Sequence, residues 1–144
     1  MTAKERGNFR KWQAQTCMRL SPRCHIAVPI WTGQIKKSRS SVEMNDSIFR
    51  PEIAGKLEGM DQYDLVFVGF PIWWYVAPTI INTFLESYDF SGKIIVPFAT
   101  SGGSGMGNTN EKLAPSCPGA ILMKGKMLNG LLSQEELKAW IKSL

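Results

Sequence analysis

Two stretches of this 144-residue chain stand out by the chemistry of their residues. Pro71-Ile72-Trp73-Trp74 sets two adjacent tryptophans directly after an apolar run, and Thr100-Ser101-Gly102-Gly103-Ser104-Gly105-Met106-Gly107 follows a second such run. Tryptophans in a loop present broad, rigid π faces. Ser, Thr and Gly supply hydroxyls and backbone N–H groups that a ligand can approach closely. Together they suit a flat, polar-edged heteroaromatic ring. Taken singly, each stretch has a plainer reading: tryptophans pack helices on sheets, and glycines make flexible turns. Their position at two neighbouring strand ends favours a site, because open α/β sheets bind ligands beyond the carboxyl ends of their strands.

Other chemistry is thin. The lone His25 has no acidic or Cys/His cluster beside it and reads as a surface or packed histidine. There is no GxSxG nucleophile elbow, and Ser101 and Ser104 have no identifiable histidine partner. The glycine stretch lacks the Gly-Lys-Ser/Thr of a triphosphate-binding loop and does not fit a dinucleotide fingerprint. Cys17, Cys24 and Cys117 have neither CxxC nor zinc spacing; Cys117, between Ser116 and Pro118, reads as a plain loop thiol. No metal site is expected, and no catalytic residue is assigned.

The elements that must carry the two stretches are legible from Tyr63 onward. Leu65–Phe70 is a continuous apolar run, the mark of a strand buried on both faces. Pro71 ends it, and Pro78 suits the first turn of a helix carrying Ile80, Ile81, Phe84, Leu85 and Tyr88 at helical spacing. Asp89–Gly92 is turn chemistry. Lys93–Ala99 is a second buried strand, in which Pro97 predicts a bulge or irregular end. A short helix is expected near Thr109–Ala114 and a third strand at Ala120–Met123. A last helix opens with a capping box, Ser133 with Glu136, and turns Leu137, Trp140, Ile141 and Leu144 to one face. Alternating strands and helices predict a doubly wound α/β fold with a parallel sheet. Earlier, Phe9–Leu20 reads as a helix, Cys24–Val28 as a short strand, and 36–56 as a polar loop with a short helix at Pro51–Leu57.

The length suits one domain, and 44% hydrophobic with 20% charged residues is an ordinary globular composition. No apolar run approaches the ~20 residues of a membrane span, and the N-terminus has no apolar core of the kind a secretory signal carries. An odd number of unclustered cysteines argues for a reducing, cytoplasmic setting. The net charge of +5 is uneven: residues 1–42 carry nine Lys or Arg against one acid, a surplus of eight, whereas the remainder carries eight against eleven. Such a basic head could bind nucleic acid or an acidic partner. It lacks interleaved aromatics or a known motif, so no nucleic-acid partner is expected.

The stretch from Tyr63 to Trp74 resembles the third strand and flavin loop of the flavodoxin family. Ala77-Pro78, Phe84-Leu85-Glu86 and Thr100–Gly105 are similar to that family's next helix and second flavin loop. The likeness runs from about Lys36 to Leu144, with several motifs in order. It implies a flavodoxin-like three-layer sandwich with strand order 2-1-3-4-5, noncovalent FMN, and electron transfer between redox partner proteins. By the same resemblance, Pro71, Ile72, Trp73 and Trp74 flank the flavin ring, with a tryptophan stacked on it. Thr100, Ser101, Gly102 and Gly103 face its other edge and donate hydrogen bonds to its polar atoms. Two alternatives stand beside the carrier: an FMN-dependent NAD(P)H or quinone reductase of the same fold, and a non-functional fragment or basic-arm binding module.

Family members open with a buried strand and a Ser/Thr-rich loop that cradles the FMN phosphate at a helix start. Here Gly7-Asn8-Phe9-Arg10-Lys11 resembles only the end of that loop, with Phe9 where Thr is usual, so Gly7 and Asn8 are the expected phosphate contacts. The expectation is a single domain over 1–144 with an atypical part at 1–35, an N-terminal truncation that leaves the first strand missing, and a frame slip over about 12–35. A missing inner strand would weaken FMN binding and expose an apolar edge prone to self-association.

Overall fold

A computed structural model describes residues 39–130 and 132–144. The expected helix at Phe9–Leu20, the strand at Cys24–Val28 and the atypical part at 1–35 therefore lie outside the described residues. What is described alternates in the expected way. Helix α1 (Arg39–Met44) is followed by β1 (Leu65–Pro71), α2 (Thr79–Glu86), β2 (Ile94–Thr100) and α3 (Thr109–Leu113). Strands β3 (Ile121–Leu122) and β4 (Lys126–Met127) and helix α4 (Gln134–Lys142) complete it.

Every described strand pairing is parallel. Strand β1 lies along β2 from Leu65↔Ile94 to Pro71↔Thr100, and β2 pairs on its other side with β3 and then β4. The register assigns the faces, since paired residues share a side of the sheet. Val68, Phe70, Ile95, Pro97 and Ala99 face one way and are buried. They form the core with Ile81, Phe84 and Leu85 of α2, Leu113 of α3, and Phe90. Each large side chain removed from water there contributes about 1.5–3 kcal/mol.

The opposite face is covered more thinly, and the sequence-based expectation of full burial is corrected there. Phe67 is 36% exposed, and no residue of α4 is fully buried. Among the described residues the cover of this face includes an aromatic trio: Trp140 meets Phe67 and Phe98 edge-on, at ring-centroid distances of 6.0 and 6.5 Å. Gly69 makes room for it, because a Cβ there would collide with the Phe98 ring. Lys126 Nζ lies 5.3 Å from the centre of the Trp140 ring, within cation–π range. The capping box is present, with Glu136 N–H donating to Ser133 Oγ and Ser133 N–H to Glu136 Oε2. Leu137, Trp140, Ile141 and Leu144 are its half-buried stripe.

Pro97 makes no bulge in its pairing with β1, where Val68↔Pro97 sits in unbroken register. Backbone groups of successive strand residues point alternately to the two neighbours. Ile94 N–H donates to Asp64 O toward β1, whereas Ile95 O and Ala99 O accept from Met123 and Leu128 on the other side. The missing N–H of Pro97 thus points to the β3–β4 side, at the level of the break over residues 123–125. The irregularity belongs to the partner strand. The expected third strand at Ala120–Met123 is the short β3, and β4, beyond the break, is an addition to the sequence reading.

The segment before β1 is also corrected. The helix forms at Arg39–Met44, not at Pro51–Leu57. Pro51 and Gly55 disfavour a helix, and Leu57 N–H is held instead by the Tyr88 hydroxyl at 2.7 Å.

Candidate functional site

The carboxyl ends of β1 and β2 adjoin. Pro71 pairs with Thr100 in the last register step, and Ile72 N–H donates to Thr100 O at 2.8 Å. The two stretches singled out in the sequence therefore leave the sheet side by side, because they follow neighbouring parallel strands.

The first stretch is a tight turn. Trp73 N–H donates to Val76 O at 2.9 Å and Val76 N–H to Trp73 O at 3.0 Å. The two residues between are left-handed, Trp74 at φ 51° and Tyr75 at φ 68°. Paired positive φ values are the signature of a primed hairpin turn, usually built from Asn and Gly. For bulky residues such backbone costs on the order of 1–3 kcal/mol each and concentrates at ligand sites. The turn holds its aromatic side chains out: Trp74 is 56% and Tyr75 69% exposed. Ile72 and Trp73 are half-buried at its base, and Pro71 is exposed at the strand end.

The second stretch is organised by one hydroxyl. Ser101 Oγ accepts from Ser104 N–H at 2.8 Å and Gly103 N–H at 3.2 Å, and shares a 2.8 Å bond with Ser104 Oγ. Ser101 N–H donates to Asn129 Oδ1 at 2.8 Å. The Ser101 hydroxyl and the Gly103 amide thus serve the loop itself. What the loop offers outward is the exposed Thr100 side chain and the backbone of Gly102, Gly103 and Gly105, where an added Cβ would meet nothing within 4 Å. Asn110 Nδ2 donates to Met123 O at 2.8 Å, tying α3 to the end of β3.

The two loops touch. Gly107, itself left-handed at φ 51°, lies so close to the Tyr75 carbonyl that a Cβ at this position would collide with it. On its other flank the loop packs through the Met106 methyl against Gly125, in the break between β3 and β4.

Neither loop contains an Asp, Glu, Lys, Arg or His. The displaced titrations lie elsewhere. Arg50 holds the Glu86 carboxyl below its ordinary value through a hydrogen bond, with Ser116 assisting. Ser91 lowers Asp89, the Ser133 backbone lowers Glu136, and burial raises Cys117. Cys117 lies in the loop after α3, with its side chain buried in the core and its thiol donating to Leu113 O. Among the described residues, no group of three or more His, Cys, Asp or Glu could hold a metal ion, and no helix is long and apolar enough to cross a membrane.

Of the sequence-predicted site residues, Pro71, Ile72, Trp73, Trp74, Thr100, Ser101, Gly102 and Gly103 stand at one end of one strand pair. Gly7 and Asn8 lie outside the described residues. Sequence reasoning missed Tyr75, Gly107 and Asn129. Nothing local announces a left-handed tyrosine, since positive φ favours Gly, Asn and Asp. Asn129-Gly130 is a recognisable turn pair, but its bond to Ser101 spans 28 residues.

Two solved structures are similar to this chain over most of their length. Each is of a "putative flavoprotein", one from Bacteroides uniformis ATCC 8492 at 47% identity and one from Bacteroides eggerthii DSM 20697 at 43%. Both superpose with a TM-score of 0.77 over 85% of this chain, covering 78% and 77% of their own. A flavoprotein in complex with FMN from Lactobacillus acidophilus NCFM has a TM-score of 0.50 at 21% identity, over 71% of this chain and 64% of its own, a likeness of fold. No curated protein matches significantly. The family model described as Flavodoxin matches residues 24–144, reaching back beyond Lys36. With a parallel α/β sheet helix-covered on both faces and that match spanning most of its length, the chain belongs to the flavodoxin family.

Proposed function

We propose that this protein binds FMN noncovalently between the Trp73–Val76 turn and the Thr100–Gly107 loop, and carries electrons between redox partner proteins. The observation that carries the reading is the pairing, at adjoining strand ends, of an uncharged turn that exposes Trp74 and Tyr75 with an open Ser/Gly loop. The donor set fits the group. Trp74 or Tyr75 offers a π face to the flat ring, and Thr100 Oγ1 and the backbone of Gly102 offer hydrogen bonds to its polar edge. A bound flavin supplies the redox chemistry; the protein sets its potential through stacking and hydrogen bonding. The absence of charge in both loops favours a neutral ring over an ionised one. The FMN-bound fold relative from Lactobacillus acidophilus supports the same ligand. A reducing, cytoplasmic setting suits a carrier whose Cys117 thiol is free and buried.

The test is a titration of the full chain with FMN, read by flavin fluorescence. Saturable quenching is expected, and its absence up to millimolar FMN would overturn the reading. Steady NAD(P)H oxidation with a quinone by the loaded protein would assign a reductase in place of a carrier.

A further inference from the structure

The aromatic turn is costly to hold and lightly held. Two bulky residues in succession occupy left-handed backbone, Trp74 and Tyr75, and both are more than half exposed, so little side-chain burial offsets the strain. Two hydrogen bonds across Trp73 and Val76 close it. The loop it touches is better anchored. Ser101 N–H is bonded to Asn129, and Ser101 Oγ gathers the Gly103 and Ser104 amides. Met106 is wedged at Gly125, and Thr109 N–H bonds back to Met106 O at 3.1 Å where α3 begins. Buried Thr109 and Leu113 seat that helix in the core. Of the two surfaces meeting at Gly107, the glycine side is the fixed one and the turn is the one able to yield.

We infer that Gly107 is a positioning residue: its missing side chain lets the Tyr75 carbonyl sit against the second loop, and this contact sets the aromatic turn in the conformation that receives the flavin. The inference rests on the FMN reading for its ligand, but the latch itself belongs to the free protein. A methyl group at Gly107 must displace the Tyr75 carbonyl, since the atom it meets is backbone and not the far end of a flexible side chain. Rotating that peptide changes ψ of Tyr75, moves it out of its narrow allowed region, and pulls on both bonds of the Trp73–Val76 bridge. Trp74 and Tyr75 are then re-aimed together. Gly107 closes the second loop and offers the ring no side chain of its own; in this account it acts through the Tyr75 carbonyl.

Gly107→Ala introduces left-handed strain as well as the collision, so it is compared with Gly92→Ala. Gly92 has φ 74° with open space around its would-be Cβ, and it lies in the turn before β2, at the far end of the sheet from the site. Two readouts are taken on each variant: amide exchange of Trp73 and Val76 in the free protein, and FMN affinity. Gly107→Ala should speed exchange at both amides and weaken FMN binding tenfold or more. Gly92→Ala should do neither, despite a comparable loss of stability. Repeating Gly107→Ala in a Tyr75→Gly background, where the peptide can rotate without penalty, should shrink its effect on both readouts. This pair also remains measurable if the single variant folds poorly. Unchanged Trp73 and Val76 exchange in Gly107→Ala, or an undiminished effect in the Tyr75→Gly background, overturns the latch. Wild-type protein that binds no FMN overturns the flavin reading alone, and the exchange data still decide the latch.

Discussion

Trp74 carries the sharpest residue-scale consequence. Stacking of a heteroaromatic ring on an aromatic side chain contributes about 1–3 kcal/mol, so Trp74→Ala should weaken FMN binding by about tenfold. The side chain is 56% exposed in the free protein, and its removal should leave the thermal midpoint within about 2 °C of wild type, unlike loss of a core residue. Affinity by fluorescence titration and stability by calorimetry check the two halves. An unaltered affinity would move the stacking role to Tyr75, which the turn presents even more fully. Tyr75 shows why residue type alone was a partial guide. Its identity is plain in the sequence, but its left-handed backbone follows from closure of the turn by Trp73 and Val76 and from contact with Gly107.

At the scale of elements, α2 is tied to its surroundings by one polar chain. Arg50 Nε bonds both carboxylate oxygens of Glu86 at 2.9 and 3.0 Å, and Ser116 Oγ donates to Oε1 at 2.7 Å. Asn82 Nδ2 reaches Ser116 Oγ and Lys112 O. The chain links the segment before β1, helix α2 and the end of α3, and so supports the helix from which the second loop is hung. Because Arg50 lowers the Glu86 pKa on folding, its stabilisation is fully present above the unfolded carboxylate value and is lost as pH falls through the lower folded value. The side chains are 32% and 41% exposed, so solvent screens the pair. Glu86→Gln should cost about 0.5–1 kcal/mol at pH 7. The cost should vanish below the folded value, as urea melts from pH 7 down to pH 3 would show.

At the scale of the whole molecule, ligand and fold are linked by mass action. FMN at about 100 times its dissociation constant should stabilise the protein by about 2.7 kcal/mol, raising the thermal midpoint by roughly 8 °C for a chain of this size. A scan with riboflavin in place of FMN then separates the two ends of the ligand. A midpoint raised as much by riboflavin would assign the affinity to the ring loops, and one raised only by FMN would assign it to phosphate contacts.

The strand, helix and capping pattern from Tyr63 to Leu144 was determined locally. Apolar runs, the Pro71 and Pro78 boundaries and the Ser133–Glu136 box act over a few residues, and such signals survive in one dimension. So was the chemical content of the candidate site, since tryptophans and a Ser/Gly loop after adjoining strands suit a flat, polar-edged ring. Tertiary structure decided what depends on distant neighbours. Pro97 is tolerated because β3 and β4 part beside it, and Gly69 is required because Phe98 crosses above it on the way to Trp140. Ser101 is an internal scaffold because Asn129 fixes its backbone. The left-handed Trp74–Tyr75 turn, which presents the π faces, sits where the glycine of one loop lets the carbonyl of the other come close. Local propensity opposes that conformation; the two Trp73–Val76 hydrogen bonds close it and the contact with Gly107 lies against it.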